Sequence, residues 1–350
     1  MRTLTSSLSC QLAGALLLTA LTSGLSPAQW RPLSTGTDAS LRGLSVVDAR
    51  TVWASGTGGR VVHTTDGGNV WRIDTIPGAS ALDLRSIHAR SQRVAHVAAT
   101  AGRIYRTTDG GRTWVRTWQA TDTSVFLDAI DFWDDLNGVA LGDPIAGRFL
   151  VLLTRDGGDT WREASVQRRP PTVEGEAAFA ASGSSLVVDS AGGVWIGSGG
   201  RAARLLYSPD RSATWITFTS PLRQGEPSQG IFSLAALNGR IYAVGGDYQQ
   251  ADSVRGNEGV FSGNPERSWA PPSAQPPRGY RSGVAGTRAT ADVFLIAVGP
   301  GGSDQSRNGG RSWSPFDSTG FHAVRASRDG VFYASGSNGR IATFDARAPR

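Results

Sequence analysis

One eight-residue pattern recurs through the chain and constrains its fold more than any other feature. It reads TTDGGNVW at 64–71, TTDGGRTW at 107–114, TRDGGDTW at 154–161 and SRNGGRSW at 306–313. Weaker copies are SPDRSATW at 208–215 and SGNPERSW at 262–269. The pattern S/T-x-D-G-G-x-T-W describes a hairpin turn. An Asp carboxylate can accept backbone N–H bonds across the turn, a Gly pair permits positive φ, and a Trp packs beneath it. Asp66, Asp109, Asp156 and Asp210, with Trp71, Trp114, Trp161, Trp215 and Trp313, are therefore read as structural. The six Trp positions are spaced by 43, 47, 54, 54 and 44 residues, a period that suits a four-stranded propeller blade.

The two ends of the chain complete the count. Gln29-Trp30-Arg31 looks like the end of one more such strand, 41 residues before Trp71. Val331–Asp345 (VFYASGSNGRIATFD) repeats VWASGTGGRVVHTTD of residues 52–66 and then stops. Six full repeats plus two complementary halves predict an all-β, seven-bladed β-propeller closed by an N-terminal strand, with residues 29–350 as one domain. Gly, at 45 of 350 residues, is about twice as frequent as usual, as many tight turns require. The Pro-rich stretch 263–278 falls inside the repeat period and reads as an elaborated blade edge.

Residues 1–28 read as a cleavable signal peptide. Arg2 is followed by a short apolar run, Leu12–Leu21, and by small residues at Ser26-Pro27-Ala28. That run is too short to span a bilayer. The expectation is a periplasmic or secreted protein with no transmembrane segment in its mature chain and no cysteine, since Cys10 is the only one. A disulfide scaffold, a thiolate zinc site and a cysteine nucleophile are excluded. His63, His88, His96 and His322 show no metal-ligand spacing, so neither a metal nor a cofactor is expected. The 35 basic residues are all Arg, and the net charge is +6. These arginines are dealt out blade by blade without a basic run or interleaved stacking aromatics, which argues against nucleic acid as partner.

In a four-stranded blade, the turn between strands three and four lies on one face. The turn between strands two and three lies on the other, together with the inter-blade linkers. The repeated turns therefore mark the bottom, and a functional site is expected on the top. Two sets of arginines land there. Arg60, Arg103, Arg148, Arg201 and Arg340 each follow a Gly after the turn between strands two and three. At the start of the inner strand, Leu41-Arg42-Gly43, Leu84-Arg85-Ser86 and Tyr280-Arg281-Ser282 align, with Asp128 and His322 at the matching position elsewhere. The first set suits satisfying strand-end carbonyls. The second suits a guanidinium-lined channel mouth that receives a carboxylate or an acidic peptide segment.

The repeated turn is the Asp-box of the bacterial neuraminidase (BNR) type. The chain resembles the photosystem II stability/assembly factor type of BNR propeller, in a non-photosynthetic bacterial branch. The segments that carry the resemblance are Phe132–Pro144 (FWDDLNGVALGDP), Gly175–Gly183 (GEAAFAASG), Gly245–Tyr248 (GGDY) and Gly279–Ala285 (GYRSGVA). In photosynthetic organisms that family acts as an assembly chaperone and not as an enzyme, so the resemblance implies a non-catalytic partner-binding propeller. The same segments put Asp143, Glu176, Asp247, Tyr248 and Tyr280 on the predicted top beside Arg42, Arg85, Arg281 and Asp128.

The expectation is thus an exported, monomeric propeller that binds a protein or acidic peptide and has no catalytic residues. The alternative is a glycan-acting enzyme. Sialidases are also Asp-box propellers, and Arg42, Arg85 and Arg281 could imitate their carboxylate clamp, with Tyr280 or Tyr248 and Glu176 as a nucleophile pair. Their Arg-Ile-Pro signature is absent. Asp128, Asp143, Glu176 and Asp247 are the candidate carboxylates for another glycoside hydrolase, which needs two across a cleft.

Overall fold

The computed structural model describes residues 29–262, 267–288 and 292–347. The signal-peptide reading of residues 1–28, and much of the weak repeat at 262–269, lie outside the described residues. Seven antiparallel sheets follow one another around a ring, six of four strands and one of six. Blade 1 shows the plan: Leu41–Val46 innermost, then Val52–Gly56, Arg60–Thr64 and Arg72–Thr75 outermost. Blades 2, 3, 4, 5 and 6 begin with inner strands Leu84–Ala89, Leu127–Phe132, Leu186–Val188, Gln229–Leu237 and Gly283–Thr287. Blade 7 takes three strands from the C-terminal segment, starting at Ala323–Ala326, and its fourth from Arg31–Leu33. That strand pairs antiparallel with residues 341–343, so the two ends of the described chain close the ring. This is the seven-bladed propeller with an N-terminal closing strand that the repeat count predicted. No helix of the described residues is long and apolar enough to cross a membrane.

Each sheet is buried on both faces, which explains the near-continuous apolar inner strands. Trp30 anchors the closure: it is buried, donates its indole N–H to Ser303 Oγ at 3.0 Å, and packs against Phe316, Phe321 and Phe344. Hydroxyls on the inner strands staple one blade to the next. Ser45 Oγ accepts the Ala89 N–H at 2.9 Å, Ser86 Oγ that of Ile130 at 3.2 Å, and Ser233 Oγ that of Val284 at 2.9 Å.

The repeated turns obey the expected physics with one addition. In blade 3, Asp156 Oδ1 accepts the Thr160 N–H at 3.0 Å, and Gly157 and Gly158 have φ of 71° and 83°. The opening Thr154 is as important as the Asp. Its Oγ1 donates to Asp156 at 2.8 Å and accepts the Gly158 N–H at 2.9 Å. Thr64, Thr107, Ser208 and Ser306 do the same in their own turns, with Asn308 replacing Asp in the last. In blade 4 the Gly pair is replaced by Arg211 and Ser212, which still adopt φ of 54° and 68°. The side-chain bonds hold that backbone in the left-handed region despite its cost.

The top of the ring is less regular. Gly199–Gly200 and Glu176–Ala177, from the turns and linker of blades 3 and 4, join the sheet of blade 5. The linker then passes through the channel. Gly183, at φ 64°, comes so near Ser86 that a Cβ would lie 2.6 Å from its Oγ. From the opposite side, the Arg325 guanidinium donates to the Ser182 and Gly183 carbonyls at 3.2 and 3.3 Å. The channel is thereby floored, and its upper end becomes a cup.

Candidate functional site

A bulge in the inner strand decides which side chains enter that cup. The pairing of inner and second strands skips one residue in four blades, at Arg42, Arg85, Asp128 and Phe232. A bulge re-aims the extra residue without disturbing the ladder beyond it. All four of these side chains line one cavity of about 490 Å³ at the top of the channel. A second bulge in blade 3, at Asp143, brings that carboxyl to the same cavity. Phe126, Phe179, Tyr248, Tyr280, Ser282 and His322 complete most of the wall.

The cavity has an aromatic side and a charged side. Phe179 and Phe232 stack face to face, 3.8 Å between centroids, and Tyr280 stands edge-on to Phe232 at 4.8 Å. Tyr248, half exposed at the rim, lies 6.1 Å from Phe232. On the charged side, Arg85 Nε lies 2.9 Å from Asp83 Oδ2, and its guanidinium sits over the Phe126 ring. Arg42 forms no hydrogen bond or ion pair among the described residues. Burial and the neighbouring Arg85 lower its pKa. Both effects make an incoming anion favourable there.

The carboxyls of the mouth are just as unsettled. Asp128 is buried, its Oδ2 has no hydrogen-bond partner, and burial and the adjacent Asp143 push its pKa well up. Burial raises Asp143 as well, although the Ala178 N–H bonds to it, and its Oδ1 is unpartnered. His322 is held down to about 4 by burial and by Arg42, Arg340 and Arg85. It is neutral at pH 7 and shares its Nε2 between Ser40 Oγ at 3.1 Å and Ser337 Oγ at 3.0 Å. Among the described residues no three His, Cys, Asp or Glu side chains are grouped to hold a metal ion.

Of the residues singled out in the sequence, Arg42, Arg85, Asp128, Asp143, Tyr248 and Tyr280 meet in this cavity, and three others do not. Arg281 is buried beneath the wall, with Nε 2.9 Å from Asp304 Oδ2 and Nη1 donating to the Tyr280 carbonyl at 2.8 Å. Arg281 and its neighbours precede the inner strand of blade 6, which starts at Gly283, and there Tyr280 and Ser282 face the cup instead. Glu176 is locked by Arg204 Nε at 2.8 Å and by the Val173 N–H at 2.9 Å, tying the linker to blade 4. Asp247 is a buried cap that accepts from the Gln249 N–H at 2.9 Å and from Gln229 Nε2 at 3.0 Å. In the outer arginine set, Arg148 and Arg340 donate to the Arg169 and Gly320 carbonyls, the structural role considered for them, whereas Arg60 donates to Thr75 Oγ1. Phe179 and Phe232 were missed. Phe232 was legible, since Ile231-Phe232-Ser233 aligns with Leu84-Arg85-Ser86.

The comparisons with known proteins agree with this architecture. The family model described as photosynthesis system II assembly factor YCF48 matches residues 28–125. No curated protein matches the sequence. A YCF48 structure with bound D1 peptide is similar at a TM-score of 0.66 and 15% identity, covering 91% of this chain and 96% of that one. YCF48 from Cyanidioschyzon merolae gives 0.65 and 16%, covering 92% and 100%. A streptogramin B lyase gives 0.66 and 12%, covering 90% and 96%, so the fold also serves an enzyme.

Proposed function

Taking the chain as a YCF48-like BNR propeller, we propose that it is a partner-binding assembly or stability factor that takes a carboxylate-bearing peptide segment into the channel mouth. The observation that carries this reading is Arg42, a half-buried guanidinium with no hydrogen bond or ion pair among the described residues, beside Arg85 in a cavity that also has an aromatic wall. A guanidinium presents a planar fork to a carboxylate, and the Phe179–Phe232–Tyr280 wall offers apolar surface to the rest of the segment. The YCF48 structure that holds a D1 peptide adds support, as a propeller of this shape with a peptide ligand. The role is read as non-catalytic, and residues 1–28 support a place of action outside the cytoplasm.

Glycan hydrolysis has one observation in its favour: Asp128 and Asp143 both hold protons unusually well in one cavity. Both come from blade 3, however, and the carboxylates needed across the cup, Glu176 and Asp247, are bonded into the walls. Fluorescein-labelled tetraglutamate, with tetraglutamine as control, tests the favoured reading by fluorescence anisotropy. Tetraglutamate should bind, and Arg42→Ala should weaken it about tenfold or more, equivalent to about 1.4 kcal/mol. Equal binding of both peptides, or an unaffected Arg42→Ala variant, contradicts it. Release of reducing sugar from a glycan panel by the same sample would favour the alternative.

A further inference from the structure

An anionic ligand alone leaves the blade-3 side of the mouth unexplained. Asp128 is only 1% exposed, yet its Oδ2 faces no donor, and the neighbouring Asp143 leaves Oδ1 free in the same way. The nearest guanidinium, Arg85, is engaged by Asp83 and stacked over Phe126. Arg85 acts on Asp128 but is shared with Asp83, so two carboxyls side by side here cannot both be charged without a further cation between them. Phe126 and Phe179 belong to the same lining, and aromatic rings attract ammonium groups. Building on the peptide-binding reading, we propose that Asp128 and Asp143 form a second subsite that receives a primary ammonium group of the ligand. The preferred partner segment then carries a lysine side chain within reach of the carboxylate that Arg42 receives.

Small probes separate the two subsites. The full protein is titrated by ligand-observed NMR with caproate, with hexylammonium, and with a ladder of zwitterions: β-alanine, γ-aminobutyrate and ε-aminocaproate. The best-fitting zwitterion should bind about tenfold or more tightly than caproate. Asp143→Asn should abolish that advantage while caproate binds as in the parent, which also shows that the variant is folded. Asp128→Asn should act the same way and replaces it should Asp143→Asn fail to fold. Arg42→Ala should weaken caproate and spare hexylammonium. A parent that binds caproate as well as every zwitterion overturns the ammonium subsite, as does a preference that survives both Asn variants. Weaker caproate binding in Asp143→Asn also overturns it, because the carboxyl would then be donating a proton to the anion. Caproate binding indifferent to Arg42 while hexylammonium still depends on Asp143 would overturn the carboxylate reading and leave this subsite standing.

Discussion

Aspartates at the two ends of the ring are treated in opposite ways. On the bottom, Asp109 accepts from the Thr113 hydroxyl at 2.7 Å, the Thr113 N–H at 3.0 Å and the Thr107 hydroxyl at 2.9 Å, and these bonds hold its pKa down to about 2. At the mouth, Asp128 and Asp143 are buried with an unpartnered oxygen each, and their pKa values rise. The bottom carboxylates repeat through blades 1 to 4, while the bulge residue at the mouth is Arg in blades 1 and 2, Asp128 in blade 3 and Phe232 in blade 5. A group that closes its own hydrogen bonds stabilises its turn. A group left open in a cavity costs stability until a ligand closes it.

The largest effects should come from residues that share the mouth's composition but not its role. Arg281→Ala takes the buried guanidinium from Asp304 and leaves it only Arg278, and breaking such a buried pair should cost about 3 kcal/mol. Trp30→Ala opens the closing blade and should cost a similar amount, about 3–5 kcal/mol. Removing residues 29–36 strips the edge strand altogether and should bring aggregation. Thermal and urea unfolding measure all three. An Arg281→Ala variant of parental stability that has lost only tetraglutamate binding would move Arg281 back into the site.

A smaller loss is expected on the bottom. Thr154→Val removes two bonds of a buried hydroxyl and should cost about 1–3 kcal/mol without touching tetraglutamate affinity. The pH dependence carries the same signature. Asp109 and Asp210 have folded pKa values near 2, below the unfolded range near 3.9. Their contribution is present above about pH 4 and is lost as pH falls toward 2. Acid titration of Asp109→Ala should therefore show a smaller stability loss across that window than the parent shows.

The bottom face was legible because its physics is local. Eight consecutive residues contain the donor, the acceptor, the positive-φ pair and the Trp, so a repeat in sequence is a repeat in structure. The role of Thr64, Thr107 and Thr154 needed the coordinates only to be noticed. The mouth was legible where the repeat alignment and the bulge coincide, at Arg42, Arg85 and Asp128. It failed at Arg281, which lies ahead of the inner strand of blade 6 and turns to Asp304 while Tyr280 and Ser282 face the cup. Glu176 and Asp247 misled for another reason. Their partners Arg204 and Gln229 lie 28 and 18 residues away, and nothing in a turn motif reveals that those partners satisfy them.

The mouth carboxyls sharpen the comparison through the opposite sign. Because the folded pKa of Asp128 lies above its unfolded value, its charge subtracts stability as pH rises through the folded pKa, and subtracts nothing below about pH 4. Asp128→Asn should therefore unfold at a higher temperature than the parent at pH 7, with the gap closing under acid. A lower unfolding temperature at pH 7 would place Asp128 with the structural carboxylates instead.

Arg42 has no bond to lose, so Arg42→Ala should change stability by no more than about 0.5 kcal/mol. The most direct test titrates fluorescein-labelled tetraglutamate onto Arg42→Ala and Thr154→Val side by side with the parent, each checked by thermal unfolding. The expected result is a crossed pattern: Arg42→Ala folds like the parent and binds about tenfold or more weakly, while Thr154→Val is destabilised and binds fully. If Arg42→Ala binds as the parent does, Arg42 is not what receives the partner's carboxylate.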